Sequence, residues 1–241
     1  MSIGKERMIV ALDFPTYEKS TAFVDLLGDN VTFYKVGLEL FLNSKGTIID
    51  YLKEKNKTIF LDLKFHDIPN TTAMAAVFAA KQDVFMFNVH ASGGKKMMKK
   101  VAEEVNKIAP NSVIIGVTVL TSLSDEDVEE TFNSKWTLQE LALNFAKLVK
   151  ESGLNGVVCS PWEAQIIKSV CGQNFKTVCP GVRPKWSATD DQERIMTPYD
   201  AMQNGCDYLV VGRPITQNED PIKAALLISK EIEEGLAKIS N

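Results

Sequence analysis

The ionisable residues of this chain gather where short apolar runs end. Asp13 closes MIVALD (8–13), Lys35 lies within FYKVG (33–37), and Asp62 and Lys64 close TIFLDLK (58–64), with Asp67 three residues on. His90 closes VFMFNVH (84–90), and Thr121 and Ser122 follow VIIGVTVL (113–120). Asp62 and Lys64 are two apart, so on an extended strand both side chains leave one face, with Leu61 and Leu63 on the other. Charges on an inward face need partners, and alternating Asp and Lys supplies them. One isolated Asp or Lys there reads as a satisfied core pair, whereas charges at successive run ends point to a functional site. A separate signal is for phosphate. Arg183 follows KTVCPGV (176–182) and Arg213 closes YLVVGR (208–213); they are two of only four arginines, and each adjoins a glycine turn, Gly181 and Gly212. Glycine lets backbone N–H groups approach an anion, and arginine adds bidentate, charge-assisted bonds. Two surface arginines capping loops are the plainer alternative.

These residues need elements to place them. With GVVCS (156–160) the apolar, β-branched runs number eight. They are near-continuously hydrophobic rather than alternating, the pattern of parallel strands covered on both faces. Amphipathic segments separate them and predict helices over 17–28, 38–54, 70–80, 94–108, 136–151, 161–170, 197–204 and 221–238, with Gly46 weakening the second. Eight strands alternating with eight helices predict a single (β/α)8 TIM barrel, residues 1–241 forming one domain. Catalytic groups in such a barrel sit at the C-terminal strand ends, and the loops after strands seven and eight often hold phosphate. An open doubly wound sheet is the competing architecture, but ALDFPTYEK lacks its G-x-G-x-x-G turn. The polar stretch 183–197 is long for a connection, which marks it as a functional loop.

Composition narrows the partners. The 241 residues carry 27 Lys plus Arg against 31 Asp plus Glu, a formal charge of −4, so no basic face for nucleic acid is expected. Two histidines, His66 and His90, exclude a His-rich metal site and read as structural. Cys159, Cys171, Cys179 and Cys206 form no C-x-x-C pair and read as buried, reduced thiols. Lys95, Lys96, Lys99 and Lys100 read as a solvated helix face. The N-terminal apolar stretch is too short for a signal peptide and no run approaches a membrane span, so a soluble, cytoplasmic protein is expected.

The segment Asp62-Leu63-Lys64-Phe65-His66-Asp67-Ile68-Pro69-Asn70-Thr71 closely resembles the signature of the orotidine 5′-monophosphate decarboxylase family. Further matches run along nearly the whole chain in order: ALD (11–13), KVGLELF (35–41), NVHASGG (88–94), TVLTS (118–122), PGVRP (180–184), DQERIMTP (191–198) and DYLVVGRPI (207–215). The bare D-x-K-x-x-D core is shared with magnesium-dependent sugar-phosphate decarboxylases and aldolases of the same barrel superfamily; these lack HDIPNT and the long loop. The resemblance implies conversion of orotidine 5′-monophosphate to UMP and CO2 by a homodimer, with no metal or organic cofactor. It implies Lys64 as proton donor to C6, Asp62 beside the departing carboxylate, and an alternating network of Lys35, Asp62, Lys64 and Asp67 in which Asp67 comes from the other subunit. It implies Asp13 and Lys35 on the ribose hydroxyls, Thr71 reaching across with Asp67, and Thr121 and Ser122 as substrate contacts after strand five, with Ser122 facing the pyrimidine. Arg183, Gln192, Gly212 and Arg213 are implied to hold the phosphate, with the loop bearing Gln192 closing over it.

Overall fold

Eight parallel strands pair in sequence order, β1 to β8, and close on themselves in the computed structural model, which describes residues 2–187 and 196–239. They are β1 (Met8–Ala11), β2 (Phe33–Gly37), β3 (Thr58–Phe65), β4 (Met86–His90), β5 (Val113–Val117), β6 (Gly156–Val158), β7 (Lys176–Pro180) and β8 (Tyr208–Val211). The helices are α1 (Ile3–Arg7), α2 (Tyr17–Leu27), α3 (Leu38–Asn43), α4 (Thr47–Glu54), α5 (Pro69–Lys81), α6 (Gly94–Asn106), α7 (Asp125–Phe132), α8 (Leu138–Glu151), α9 (Ala164–Cys171), α10 (Pro198–Gln203), α11 (Arg213–Thr216) and α12 (Pro221–Ile239). This is the (β/α)8 barrel that the eight runs predict. Every residue of β1, β5 and β8 is buried, as strands covered on both faces require.

The chain divides into two compact units, one of Met1–Leu63 with Gly181–Asn241 and one of Lys64–Pro180. In the first, β1 lies between β8 (Val10↔Val211) and β2 (Ala11↔Lys35), and β2 pairs with β3 (Gly37↔Asp62). A Cβ at Gly4 of α1 would collide with the Ser229 carbonyl oxygen of α12, so only glycine permits this helix contact. In the second unit β4, β5, β6 and β7 run side by side (His90↔Val117↔Val158↔Val178). Helix α8 begins in a capping box, Thr137 with Glu140.

Several elements depart from expectation. The single helix expected over 38–54 is two, α3 and α4, because Gly46 takes a left-handed φ of 80° and its N–H closes the turn on the Phe41 carbonyl at 2.9 Å. Helix α7 falls between the expected strand over 113–120 and the expected helix over 136–151, where no element is expected. Ser124 and Asp127 cap it reciprocally, and three acidic residues occupy its first turn, where the helix dipole favours them. Strands β1 and β8 end at Ala11 and Val211, so Asp13 lies just beyond its strand and Arg213 opens α11 instead of closing β8. The four cysteines are buried thiols that form no disulfide, as expected, with the Cys159 and Cys179 Sγ atoms 3.8 Å apart. Among the described residues no helix is long and apolar enough to cross a membrane.

Beyond β6, Glu163 is buried, with 5% of its surface exposed, and Oε2 accepts a hydrogen bond from the Ser160 N–H at 3.0 Å. Burial pushes its carboxyl up to about 7, and the Ser160 N–H only partly opposes this. The folded chain therefore holds a proton that the unfolded chain releases from about pH 4.5 upward, so stability falls between about pH 4.5 and 7. Glu163→Gln, which keeps an acceptor for Ser160, should flatten that slope and exceed the parent at pH 8 by up to about 3 kcal/mol. Urea unfolding at pH 5 and pH 8 checks this; an unchanged slope would exclude Glu163 as its source.

Candidate active site

The first unit carries a cation held between two carboxylates. Lys35, pointing from β2, sets its Nζ 3.0 Å from Asp13 Oδ1 and 3.3 Å from Asp62 Oδ2. The strand register makes this possible, since Lys35 sits opposite Ala11 on one side and one pleat away from Asp62 on the other. The Lys35 and Asp62 side chains are 12% and 10% exposed, whereas Asp13 is 64% exposed. Burial by itself would lower the Lys35 ammonium, but the charges of Asp62 and Asp13, with their hydrogen bonds, outweigh it and hold it above the ordinary lysine value. A Cβ at Gly37 would lie 3.2 Å from Lys35 Nζ, so the glycine leaves room for the ion pair.

In the same unit, the end of β8 approaches that cluster. A Cβ at Gly212 would stand 3.9 Å from Asp13 Oδ2, and Arg213, exposed, follows directly. Arg183 is half-buried; its N–H donates to the Met196 carbonyl at 3.0 Å, beside the Val182↔Met196 bridge that ties the two ends of the long loop together. Gln192 lies outside the described residues.

The second unit carries Lys64, Asp67, Thr71, Thr121 and Ser122. Lys64 has a φ of 52°, so the alternation argument for Asp62 and Lys64, which presumes extended backbone at both, no longer carries the pair. Its N–H instead donates to the Asn88 side-chain carbonyl at 2.8 Å. Asp67 is exposed and accepts from the Ile68 N–H through Oδ1 at 2.6 Å. Buried Thr72 grips the Asp67 backbone twice: its hydroxyl accepts from the Asp67 N–H and donates to the Asp67 carbonyl, each at 3.0 Å. Pro69 at the first position of α5 holds the entry. Thr71 is exposed on the first turn, and Thr121 and Ser122 are exposed beyond β5. His66 and His90 place their rings 5.3 Å apart.

Sequence reasoning missed Thr72 and Asn88. Asn88 left one signal, a polar residue inside the apolar run VFMFNVH; Thr72 left only its place after the DLKFHDIPNT segment.

The model of the Orotidine 5′-phosphate decarboxylase / HUMPS family matches residues 6–228. The chain belongs to this family. A relative from Syntrophomonas wolfei named orotidine 5′-phosphate decarboxylase is 45% identical over 96% of this chain and 99% of its own length. One of the same name from Gloeothece citriformis is 43% identical over 95% and 98%. The crystal structure of orotidine 5′-phosphate decarboxylase from Lactobacillus acidophilus superposes with a TM-score of 0.83 at 38% identity, covering 93% of this chain and 98% of that one. The chain is thus a member of a decarboxylase enzyme family, and the Asp13–Lys35–Asp62 cluster is a feature of that member.

Removing the central cation should expose its energetic role. Lys35→Met leaves the buried Asp62 carboxylate short of its ammonium, at a cost of about 3 kcal/mol near pH 8. The loss should shrink near pH 5, where a carboxyl deprived of one neighbouring cation takes up a proton more readily. Urea midpoints at the two pH values test this; equal losses would mean that Lys35 acts by packing.

Proposed function

We propose that this chain decarboxylates orotidine 5′-monophosphate to UMP and CO2, the last step of de novo UMP synthesis, as a cytoplasmic homodimer without metal or organic cofactor. The observation that carries the reading is 45% identity to an enzyme of that name across nearly the full length of both chains. We read residues 1–241 as one catalytic domain.

The chemical difficulty is a carbanion. Breaking the bond from C6 of the pyrimidine to its carboxylate releases CO2 and leaves the electron pair on C6, with no cofactor to receive it. Lys64 then donates a proton from its ammonium to C6 and becomes a neutral amine that solvent reprotonates. Before transfer, its charge offsets the negative charge growing at C6, a stabilisation by preorganised electrostatics. Asp62 faces the departing carboxylate, and Lys35 holds Asp62 in place; the 3.3 Å contact between them supports this assignment. Asp13 and Lys35 take the ribose hydroxyls. The partner subunit's Asp67 completes the alternation Lys35, Asp62, Lys64, Asp67, and the partner subunit's Thr71 accompanies it. Both residues are exposed on their own chain, which leaves them available to a second copy. Thr121 and Ser122 contact the substrate from beyond strand β5, Ser122 facing the pyrimidine, and Arg183, Gln192, Gly212 and Arg213 bind the phosphate. That remote binding energy orients the reacting centre.

The test is to treat the purified chain with EDTA and follow the absorbance of orotidine 5′-monophosphate; turnover should persist, and its absence would sink the reading. Lys64→Ala should lower kcat by about 10⁴-fold or more while the fold survives, and near parental rates would remove Lys64 as the donor. Arg213→Ala removes charge-assisted bonds to phosphate, so KM should rise by about 10- to 100-fold. An unchanged KM would move the phosphate elsewhere.

A further inference from the structure

We propose that Asn88 is a positioning residue for Lys64: its side-chain carbonyl fastens the Lys64 backbone in a left-handed conformation and so determines where the lysine side chain departs from β3. The proposal rests on Lys64 being the proton donor. Five non-glycine residues among those described have a positive φ: Lys45, Asn56, Lys64, Asp83 and Asn133. Four of them lie in turns or at a helix end, and Lys64 is the one inside a strand. A left-handed φ costs a residue with a Cβ about 1–2 kcal/mol, so it persists only where surrounding structure imposes it.

The imposing contact is visible. Lys64 N–H donates to Asn88 Oδ1 at 2.8 Å, and Asn88, on the neighbouring β4, is wholly buried. In a regular parallel ladder a strand N–H donates to a main-chain carbonyl. Here a side chain takes that part, which allows the Lys64 peptide to turn away from ladder geometry without stranding a buried donor. The turn redirects the Cα–Cβ bond of the residue two positions after Asp62. Proton transfer is steeply sensitive to placement, a 1 Å error costing about 100-fold. A residue that acts on the proton donor through the Lys64 backbone should therefore change catalysis far more than substrate affinity.

Asn88→Leu keeps the branched outline and the number of side-chain heavy atoms and removes the acceptor; Asn88→Asp retains an oxygen in its place. The expected result for Asn88→Leu is a kcat about 100-fold below the parent, with KM for orotidine 5′-monophosphate and Kd for UMP within about threefold. Asn88→Asp should recover at least tenfold of that loss. The amide of Lys64, observed by nuclear magnetic resonance in chain labelled at lysine nitrogen, should exchange with solvent slowly in the parent and in Asn88→Asp, and much faster in Asn88→Leu. Preserved UMP binding reports an intact fold, and Asn88→Ala replaces Asn88→Leu if the latter does not fold. The proposal is overturned if the acceptor-less variant keeps kcat within threefold, if KM rises in parallel with the loss of kcat, or if Lys64 amide protection does not change. Absence of turnover by the parent would instead overturn the functional reading, and the amide exchange would still decide what holds Lys64.

Discussion

One ammonium between two carboxylates sets the terms for the first unit. Lys35 comes from the middle of β2, Asp62 from β3 and Asp13 from just past β1, so three consecutive strands must keep register for the charges to meet. Parallel pairing with apolar residues on both faces makes that register stiff. The dependence runs the other way too. A carboxylate as enclosed as Asp62 is made tolerable in the folded chain in part by the lysine beside it, so side-chain chemistry and strand order support each other.

The second unit works by local fastening. Thr72, one turn into α5, fixes the backbone of Asp67 through both its donor and its acceptor, and Asn88 fixes that of Lys64. In both cases a buried neutral side chain governs the main chain of a charged neighbour. Such small amides and hydroxyls are the supporting contacts on which the accuracy of a site depends.

The architecture was legible because parallel barrels write their strands as apolar runs, and the eight runs match the eight strands within a few residues. The helix expected over 38–54 was misread because a 3.6-residue pattern continues on both sides of Gly46; only the left-handed turn breaks it. Helix α7 was missed although Ser124 and Asp127 spell its cap, since its polar sequence buries little beyond Val128 and leaves no stripe to detect. Of the site, the charged residues announced themselves by their positions at strand ends. The pairing of Asp62 with Lys35 depends on inter-strand register, which no single run contains. The role of Asn88 depends on a backbone angle at another residue 24 positions away, and nothing in the types of either residue encodes it.

The left-handed backbone at Lys64 also bears on how this chain can change over time. Glycine is the residue that such a φ suits best, so pressure for a more stable barrel acting alone would favour glycine at position 64. The position instead carries the side chain with the most to lose by that exchange. With Lys64 as the proposed proton donor, thermodynamic comfort and reactivity pull the same codon of β3 in opposite directions, and lineages adapting to heat would find their stability elsewhere in the barrel.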